Sequence, residues 1–227
     1  MEYCYLPTEI VPIYLLTFAC FQAARLAGVI PVKVALRCRP LVPKEIAESC
    51  QICLSFVPGD PQMILAKDKP FSYDYVFDLS TEQEEVFSTS IVPLIRGIFS
   101  GYNATILAYE QTGSGKTYSM GGAFTADQEN DPTVGFIPQV IMLLFQQLKQ
   151  KVERQFALKV SYLKIYNEDI LDLLAVGKKR TSQIAIREDP KGGYKIVGLM
   201  EHMVSCAPET VLCLEQGNNS PMVAAQR

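Results

Sequence analysis

The sequence predicts an α/β domain in which helices flank a central, mainly parallel sheet. Three observations favour this fold class. The chain has 227 residues, of which 48% are hydrophobic and 20% charged, so it can build one sizeable core. Short β-like runs alternate along it with segments of helical spacing. One apolar run, residues 104–109 (ATILAY), leads into a glycine-containing loop, as buried strands of parallel sheets do.

The first half of this domain is predicted to hold most of the strands and one long helix. Residues 31–38 alternate apolar and basic side chains, which is typical of a half-buried strand. The runs ICLSFV, QMILA and FSYDYVF are separated by turn residues and predict a small antiparallel meander. Ser80–Gln83 has the capping-box pattern and predicts a helix to about Phe99, which Pro93 bends or breaks.

The second half is predicted to alternate helices and strands. A polar insertion over residues 124–132 separates the first two helices. The elements in chain order are a helix beginning near Lys116, a helix over 136–152, a strand over 157–166, a short helix or turn over 170–174, a hairpin of runs 183–186 and 194–199, and a helix over 208–216.

Residues 1–29 differ in character from the rest and predict an apolar extension that precedes the domain at 30–227. Ile10–Phe21 is an apolar run too short for a membrane-spanning helix, which needs about 20 residues. Glu2 and Glu9 precede this run, and no Lys or Arg does, whereas a signal peptide begins with a basic region. We therefore expect neither secretion nor a membrane anchor.

Charge and cysteine content argue against two classes of function, a dedicated nucleic-acid binder and a zinc protein. The net charge of −3 and a pI of about 5.3 argue against a dedicated nucleic-acid binder. The seven scattered cysteines predict reduced thiols. Cys50 and Cys53 form a C-x-x-C pair, but no second pair follows and His202 is the only histidine, so a zinc site lacks ligands.

The loop after the apolar run, within AYEQTGSGKTYSM (108–120), predicts a phosphate site of the P-loop NTPase type. Gly113 and Gly115 let backbone N–H groups curl around phosphate oxygens. Lys116 supplies positive charge to the β- and γ-phosphates, and the Thr117 hydroxyl is placed to ligate Mg²⁺. The alternative is a polar strand-to-helix turn that binds nothing.

Glu110 stands where the phosphate-loop pattern opens with glycine. If that position needs a positive φ, a non-glycine residue costs on the order of 1–2 kcal/mol. A carboxylate facing the triphosphate from ~6 Å would add roughly 3 kcal/mol of repulsion at an effective dielectric of 20. The sequence therefore predicts weakened nucleotide binding.

Three motifs together resemble the kinesin motor domain: GYNAT at 101–105, the loop itself, and Arg37-Cys38-Arg39-Pro40 after the first strand. Stretches such as ALRCRPLVPKEI and IREDPKGGYKIVGL resemble its chromokinesin branch, and the resemblance covers about residues 30–220. It implies ATP and Mg²⁺ as ligands, the microtubule as partner, and a place in the cytoplasm and cytoskeleton, extending to nucleus and spindle for chromokinesins.

The resemblance also assigns residues. It places Arg37, Arg39 and Pro40 on the adenine side and stacks Tyr118 on the base. Around the phosphates it places Gln111, Thr112, Gly113, Ser114, Gly115, Lys116 and Thr117, with Thr117 at the metal. The implied microtubule contacts are Lys178, Lys179, Arg180 and Arg187.

Neither switch motif of the family, Asn-x-x-Ser-Ser-Arg-Ser-His or Asp-x-Ala-Gly-Ser-Glu, occurs in the chain. These motifs sense the γ-phosphate and position water, so we expect a partial motor domain without catalytic residues. Asp172 is the one substitute considered for the metal, and a surface turn explains it better. Two hypotheses stay open: a partial microtubule motor domain, or a non-enzymatic remnant that binds nucleotide or tubulin weakly. Direct nucleic-acid binding and dimerisation are not expected from this segment.

Overall fold

The computed structural model describes residues 32–66, 68–109, 114–121, 133–151, 156–175, 184–188, 190 and 193–219, together with the backbone of 8–12. The described chain divides into two compact units, one up to residue 140 and one from residue 141 onward. Within the described part, no helix combines the length and the apolar character needed to cross a bilayer.

Strand β2 (Val34–Cys38) is the central strand of the first unit. It pairs antiparallel with β1 (Thr8–Pro12) and parallel with β6 (Tyr75–Phe77). Its residues Ala35 to Cys38 are all buried, and Leu36 packs in a core cluster with Leu54 and Met63. The β2–β6 pair is the part of the predicted parallel sheet that the described residues contain.

The predicted antiparallel meander is confirmed as β3 (Leu54–Phe56), β4 (Gln62–Leu65) and β5 (Lys69–Ser72). The run FSYDYVF does not form one strand, because Asp74 accepts a hydrogen bond from Val34 N (2.8 Å) and directs Tyr75–Phe77 toward β2. A short helix that the sequence did not indicate, α1 (Pro43–Ala47), follows β2.

The prediction of reduced thiols is wrong at Cys53, which is disulfide-bonded. Cys38, Cys50, Cys206 and Cys213 are not disulfide-bonded. Disulfide formation depends on how closely two sulfur atoms approach in the fold, which scattered positions in a sequence do not reveal.

The long helix of the first half is confirmed, but its capping box is not. It consists of α2 (Gln83–Val86), a π-helical turn (Phe87–Ile91) and α3 (Val92–Phe99). The break expected at Pro93 takes the form of the π-helical turn just before it. Ser80 does not cap the helix, because its backbone N–H and its hydroxyl both donate to Asp78 Oδ1 (2.8 and 2.7 Å).

Residues 104–109 do not form the predicted strand. Ala104 and Ile106 are buried while Leu107 and Tyr109 are exposed, so the alternation of an extended segment persists. Only an isolated bridge at Tyr109 is present, and no strand in the described residues pairs with 102–108. A strand requires a neighbouring ladder of hydrogen bonds, which local sequence alone does not supply.

Helix α5 (Phe136–Lys149) matches the predicted helix over 136–152 and contains the division between the units. Three antiparallel pairs follow in the second unit. Their members are β7 (Leu158–Val160) with β12 (His202–Val204), β8 (Leu163–Tyr166) with β9 (Asp169–Asp172), and β10 (Ala185–Glu188) with β11 (Tyr194–Val197). The chain then enters α6 (Ala207–Asn218), the predicted final helix.

The second unit corrects three predictions and confirms the hairpin of β10 and β11. Residues 157–166 form two strands, β7 and β8, because each pairs with a different partner. Residues 169–172 are a strand, not the short helix or turn predicted over 170–174. Asp172 is buried rather than on the surface, and its carboxylate accepts hydrogen bonds from Leu174 N, Ala175 N and Met200 N (2.9, 3.1 and 2.7 Å), which closes the turn after β9.

Helix α6 is anchored at its end by Tyr162. The phenol donates to Asn218 Oδ1 (2.9 Å), and burial raises the pKa of Tyr162. A Cβ atom placed on Gly217 would overlap the Tyr162 ring at Cδ1, so the ring occupies the space that any side chain at 217 would need. Glycine at this position is required by packing.

We predict that Gly217→Ala destabilises the protein by about 1–3 kcal/mol, since the added methyl group displaces the Tyr162 ring. Gly97→Ala is the matched control, because Gly97 also lies inside a helix and its added Cβ meets no atom closer than 3.9 Å. That variant should gain about 0.5–1 kcal/mol from helix propensity. Urea unfolding followed by circular dichroism measures both, and equal effects would contradict the packing argument.

Candidate nucleotide-binding site

The described part of the phosphate loop begins at Ser114. Gly115 adopts a left-handed conformation (φ 114°, ψ 13°) and directly precedes α4 (Lys116–Met120), which confirms the predicted helix start. Only glycine adopts this conformation without strain. Ser114 is buried, whereas the side chains of Lys116 and Thr117 are exposed on the first turn of α4. Glu110, Gln111, Thr112 and Gly113 lie outside the described residues.

The guanidinium of Arg37, on strand β2, lies beside the ring of Tyr118 on α4. Arg37 is only 6% exposed, and its Cζ lies 5.1 Å from the ring centroid, a cation–π geometry. Tyr118 itself remains 51% exposed. The ring therefore contacts a fixed cation while a large part of its surface stays open to solvent.

A buried glutamine, Gln83, connects Arg37 to α4. Nη1 of Arg37 donates to Gln83 Oε1 and to Ser119 Oγ (2.9 Å). Nε2 of Gln83 donates to three backbone carbonyls, those of Tyr118 (3.4 Å), Ser119 (3.2 Å) and Val134 (3.2 Å). Gln83 is 1% exposed, so one carboxamide joins β2, α2, α4 and the segment before α5.

The segments that follow α4 and precede α5 approach each other closely. A Cβ atom on Gly135 would overlap the backbone nitrogen of Gly121, and Gly121 has a φ of 98°. Gln139 of α5 donates from Nε2 to Val134 O (2.6 Å), which holds the same segment from its other side. These contacts fix where α4 ends relative to the start of α5.

Arg39 is held in an ion pair, not in the Arg37 cluster. Its Nη1 and Nη2 each donate to Glu45 on α1 (both 2.8 Å), and Nη1 also donates to Pro40 O (3.0 Å). Val42 N donates to Glu45 Oε2 (2.8 Å). The hydrogen bonds from Arg39, then that from Val42, lower the pKa of Glu45 from its ordinary 4.5 to about 2. Pro40 is exposed beside this closed loop.

The described residues fit a bound nucleoside triphosphate. The backbone at Gly115 leaves room for close approach, and Lys116 and Thr117 present an ammonium and a hydroxyl from neighbouring positions. Tyr118, next on the same helix, offers an aromatic surface backed by a cation. Groups suited to phosphate, to Mg²⁺ and to a base thus follow one another on α4.

A second group of charges lies on the hairpin of β10 and β11. Arg187 and Lys195 are direct partners in the antiparallel register, so both side chains lie on the same face, and both are exposed. Tyr194 at the hairpin is 82% exposed. Lys178, Lys179 and Arg180, which the sequence associated with Arg187, lie outside the described residues.

Sequence reasoning missed three residues at these sites: Gln83, Ser119 and Lys195. The register between predicted runs 183–186 and 194–199 could have paired Arg187 with Lys195. No comparable signal pointed to Gln83, because its position three residues after Ser80 suggested a cap. Nothing in the sequence distinguished Ser119 from the other polar residues that follow the loop.

Comparison with known proteins places the chain among motor domains. The family model described as Kinesin motor domain matches residues 37–227. Human chromosome-associated kinesin KIF4A is 68% identical over 196 residues, covering 86% of this chain and 16% of the human protein. The chromosome-associated kinesin KIF4 of Gallus gallus is 67% identical with the same coverage. The chain thus spans about one sixth of these relatives.

A solved structure of a fast kinesin matches the fold with a TM-score of 0.72 and 31% sequence identity. The match covers 85% of this chain and 53% of that one. It confirms the α/β fold class that the sequence predicts.

The Arg39–Glu45 pair makes stability depend on pH in a defined window. Because the folded pKa of Glu45 is lowered, its contribution is complete above about pH 4.5 and is lost as the pH falls toward about 2. We predict that Glu45→Gln costs about 1.5–3 kcal/mol at pH 7, the range for a hydrogen bond to a charged group. The difference from the parent chain should shrink as the pH falls through this window.

Urea unfolding at pH 7, 5, 4 and 3 measures this difference. Glu48→Gln is the control, since Glu48 is exposed and lies 3.9 Å from Lys44. A Glu45→Gln effect that stays constant across the series would refute the pH argument.

Proposed function

The chain belongs to the kinesin motor domain family, and we propose that it acts as part of an ATP-dependent microtubule motor. The resemblance to chromokinesins is confirmed by relatives named chromosome-associated kinesins at 62–68% identity. The observation that carries the nucleotide part is the order of groups on α4, where Lys116 and Thr117 precede a Tyr118 ring that Arg37 holds. The matched fast-kinesin structure was described for its implications for an ATPase mechanism and for interactions with microtubules.

In this proposal the nucleotide is ATP with Mg²⁺. Gln111, Thr112, Gly113, Ser114 and Gly115 surround the phosphates with backbone N–H groups. Lys116 neutralises phosphate charge, Thr117 ligates the metal, and Arg37, Pro40 and Tyr118 form the adenine side. Arg39 acts through its ion pair with Glu45, which closes the loop that carries Pro40. Mg²⁺ held by the Thr117 hydroxyl would offset the negative charge of the phosphates.

We assign binding, not hydrolysis, to the residues of this chain. Neither switch motif occurs within the 227 residues, and the groups that position water come from those motifs. Residues 30–227 are accordingly proposed as a partial motor domain, with 1–29 as an extension. The second candidate is a non-enzymatic remnant with weak nucleotide or tubulin affinity, which Glu110 in the phosphate loop favours.

The microtubule partner is supported by the charges of the hairpin. Arg187 and Lys195 face the same side, on a protein of net charge −3. Tubulin presents an acidic surface, which such a local basic group can steer toward. Lys178, Lys179 and Arg180 extend this proposal. Association with the cytoskeleton follows, and a place at the spindle or in the nucleus is proposed from the chromosome-associated relatives.

We predict that Glu110→Gly binds a fluorescent ATP analogue with Mg²⁺ at least tenfold more tightly than the parent chain. This gain is about 1.4 kcal/mol. It is expected from the loss of the backbone strain and charge repulsion that the sequence predicts for a glutamate at this position. Lys116→Ala should weaken binding by at least a similar factor, while Lys44→Ala, an exposed lysine of α1, should have no effect. If the parent and Glu110→Gly are folded and neither binds, the remnant hypothesis is correct.

We predict that the double variant Arg187→Glu, Lys195→Glu reduces cosedimentation with microtubules several-fold at low salt. The difference in cosedimentation between the variant and the parent chain should narrow as ionic strength rises, because salt screens the attraction between basic side chains and the acidic tubulin surface. The double variant Lys44→Glu, Lys69→Glu reverses two exposed charges on α1 and β5, changes the net charge by the same amount and serves as control. Equal loss with this control would indicate a nonspecific dependence on net charge.

A further inference from the structure

We propose that Gln83 is a positioning residue for the base side of the nucleotide site. It orients the Arg37 guanidinium against Tyr118 and thereby sets how strongly the chain binds the nucleoside part of ATP. This inference rests on the proposed nucleotide binding and adds a residue that touches neither phosphate nor base.

The first argument is the fixed orientation of the Gln83 carboxamide. Its Nε2 faces the carbonyls of Tyr118, Ser119 and Val134 at 3.2–3.4 Å, and carbonyls accept but cannot donate. The amide nitrogen must therefore point toward them, and Oε1 must point toward Arg37. At 1% exposure, water does not compete for these bonds. A single rotamer of Gln83 thus defines the place of Nη1 of Arg37.

The second argument concerns charge. Nη1 of Arg37 donates to Gln83 Oε1 and to Ser119 Oγ, and both of these acceptors are neutral. A carboxylate in the place of Gln83 would fix the guanidinium equally well but would neutralise it. A neutral amide holds the cation in place and itself adds no opposite charge beside the Tyr118 ring, which lies 5.1 Å from Cζ of Arg37.

The third argument is that the same side chain binds the backbone on which the ring is mounted. Gln83 donates to the carbonyls of residues 118 and 119, so one amide positions both the Arg37 cation and the backbone that carries the aromatic ring. A displacement of α4 would move Tyr118 and strain the Arg37 contact together. The carboxamide of Gln83 is directed to Arg37 and to backbone carbonyls, whereas Lys116 and Thr117 lie on the first turn of α4 with exposed side chains. Gln83 therefore acts on the phosphate side only through the position of α4, whereas it acts on the base side through Arg37 as well.

The test separates the base from the phosphates. Isothermal titration calorimetry with Mg-ATP and with Mg-tripolyphosphate gives two dissociation constants. The Kd for Mg-tripolyphosphate divided by the Kd for Mg-ATP reports how much the nucleoside adds to the affinity. We expect Gln83→Met to lower this ratio about tenfold, equal to about 1.4 kcal/mol, because the affinity for Mg-ATP falls more than the affinity for Mg-tripolyphosphate. Gln139→Met is the matched control, because the Gln139 side chain also donates to Val134 O but has no hydrogen bond to Arg37 or α4 among the described residues. It should leave the ratio unchanged.

Ser119→Ala provides a milder variant, since it removes one acceptor of Arg37 with a small change in a helix. It should lower the ratio in the same direction, and it carries the test if Gln83→Met does not fold. An unchanged ratio in a folded Gln83→Met or Ser119→Ala, or an equal fall in Gln139→Met, overturns the inference. If the parent chain binds neither ligand, both the proposed function and the inference are overturned. If the parent chain binds both ligands and the ratio does not change in the variants, only the inference about Gln83 is overturned.

Discussion

The burial of the Arg37 guanidinium is the constraint on which the first unit depends. A buried cation is costly unless its donors are satisfied, so the residues around it must converge. Gln83 on α2 and Ser119 on α4 accept hydrogen bonds from Arg37, and the ring of Tyr118 on α4 makes the cation–π contact. Gln83 then binds Val134, which brings in the segment before α5. One basic side chain on β2 therefore determines where the helix after the phosphate loop can lie.

Elements with strong local signals were predictable from the sequence. The start of α4 follows from Gly115, whose left-handed conformation ends the loop, and α5 and α6 follow from helical spacing. The meander follows from apolar runs separated by turn residues. The family resemblance carried the most information, because it assigned Arg37 and Tyr118 to one site although 81 positions separate them.

Features that depend on partners distant in the chain were not predictable. Residues 104–109 are apolar and β-like, yet strand formation requires a ladder that the described residues do not provide. Gln83 fits a capping box by spacing, but Asp78 takes the hydrogen bonds of Ser80 and leaves Gln83 to turn inward. The ion pair of Arg39 with Glu45 depends on α1, a helix too short to show periodicity.

The π-helical turn Phe87–Ile91 makes this stretch tolerant of a change in chain length. A π turn holds one residue more than an α turn, and here it absorbs that residue just ahead of Pro93. Elsewhere in a helix, deleting one residue rotates everything beyond it by about 100°. A deletion within this turn would instead restore ordinary α geometry and leave Ile95 and Ile98 facing the core. Homologous sequences can therefore differ by one residue here while the segment leading to the phosphate loop keeps its register.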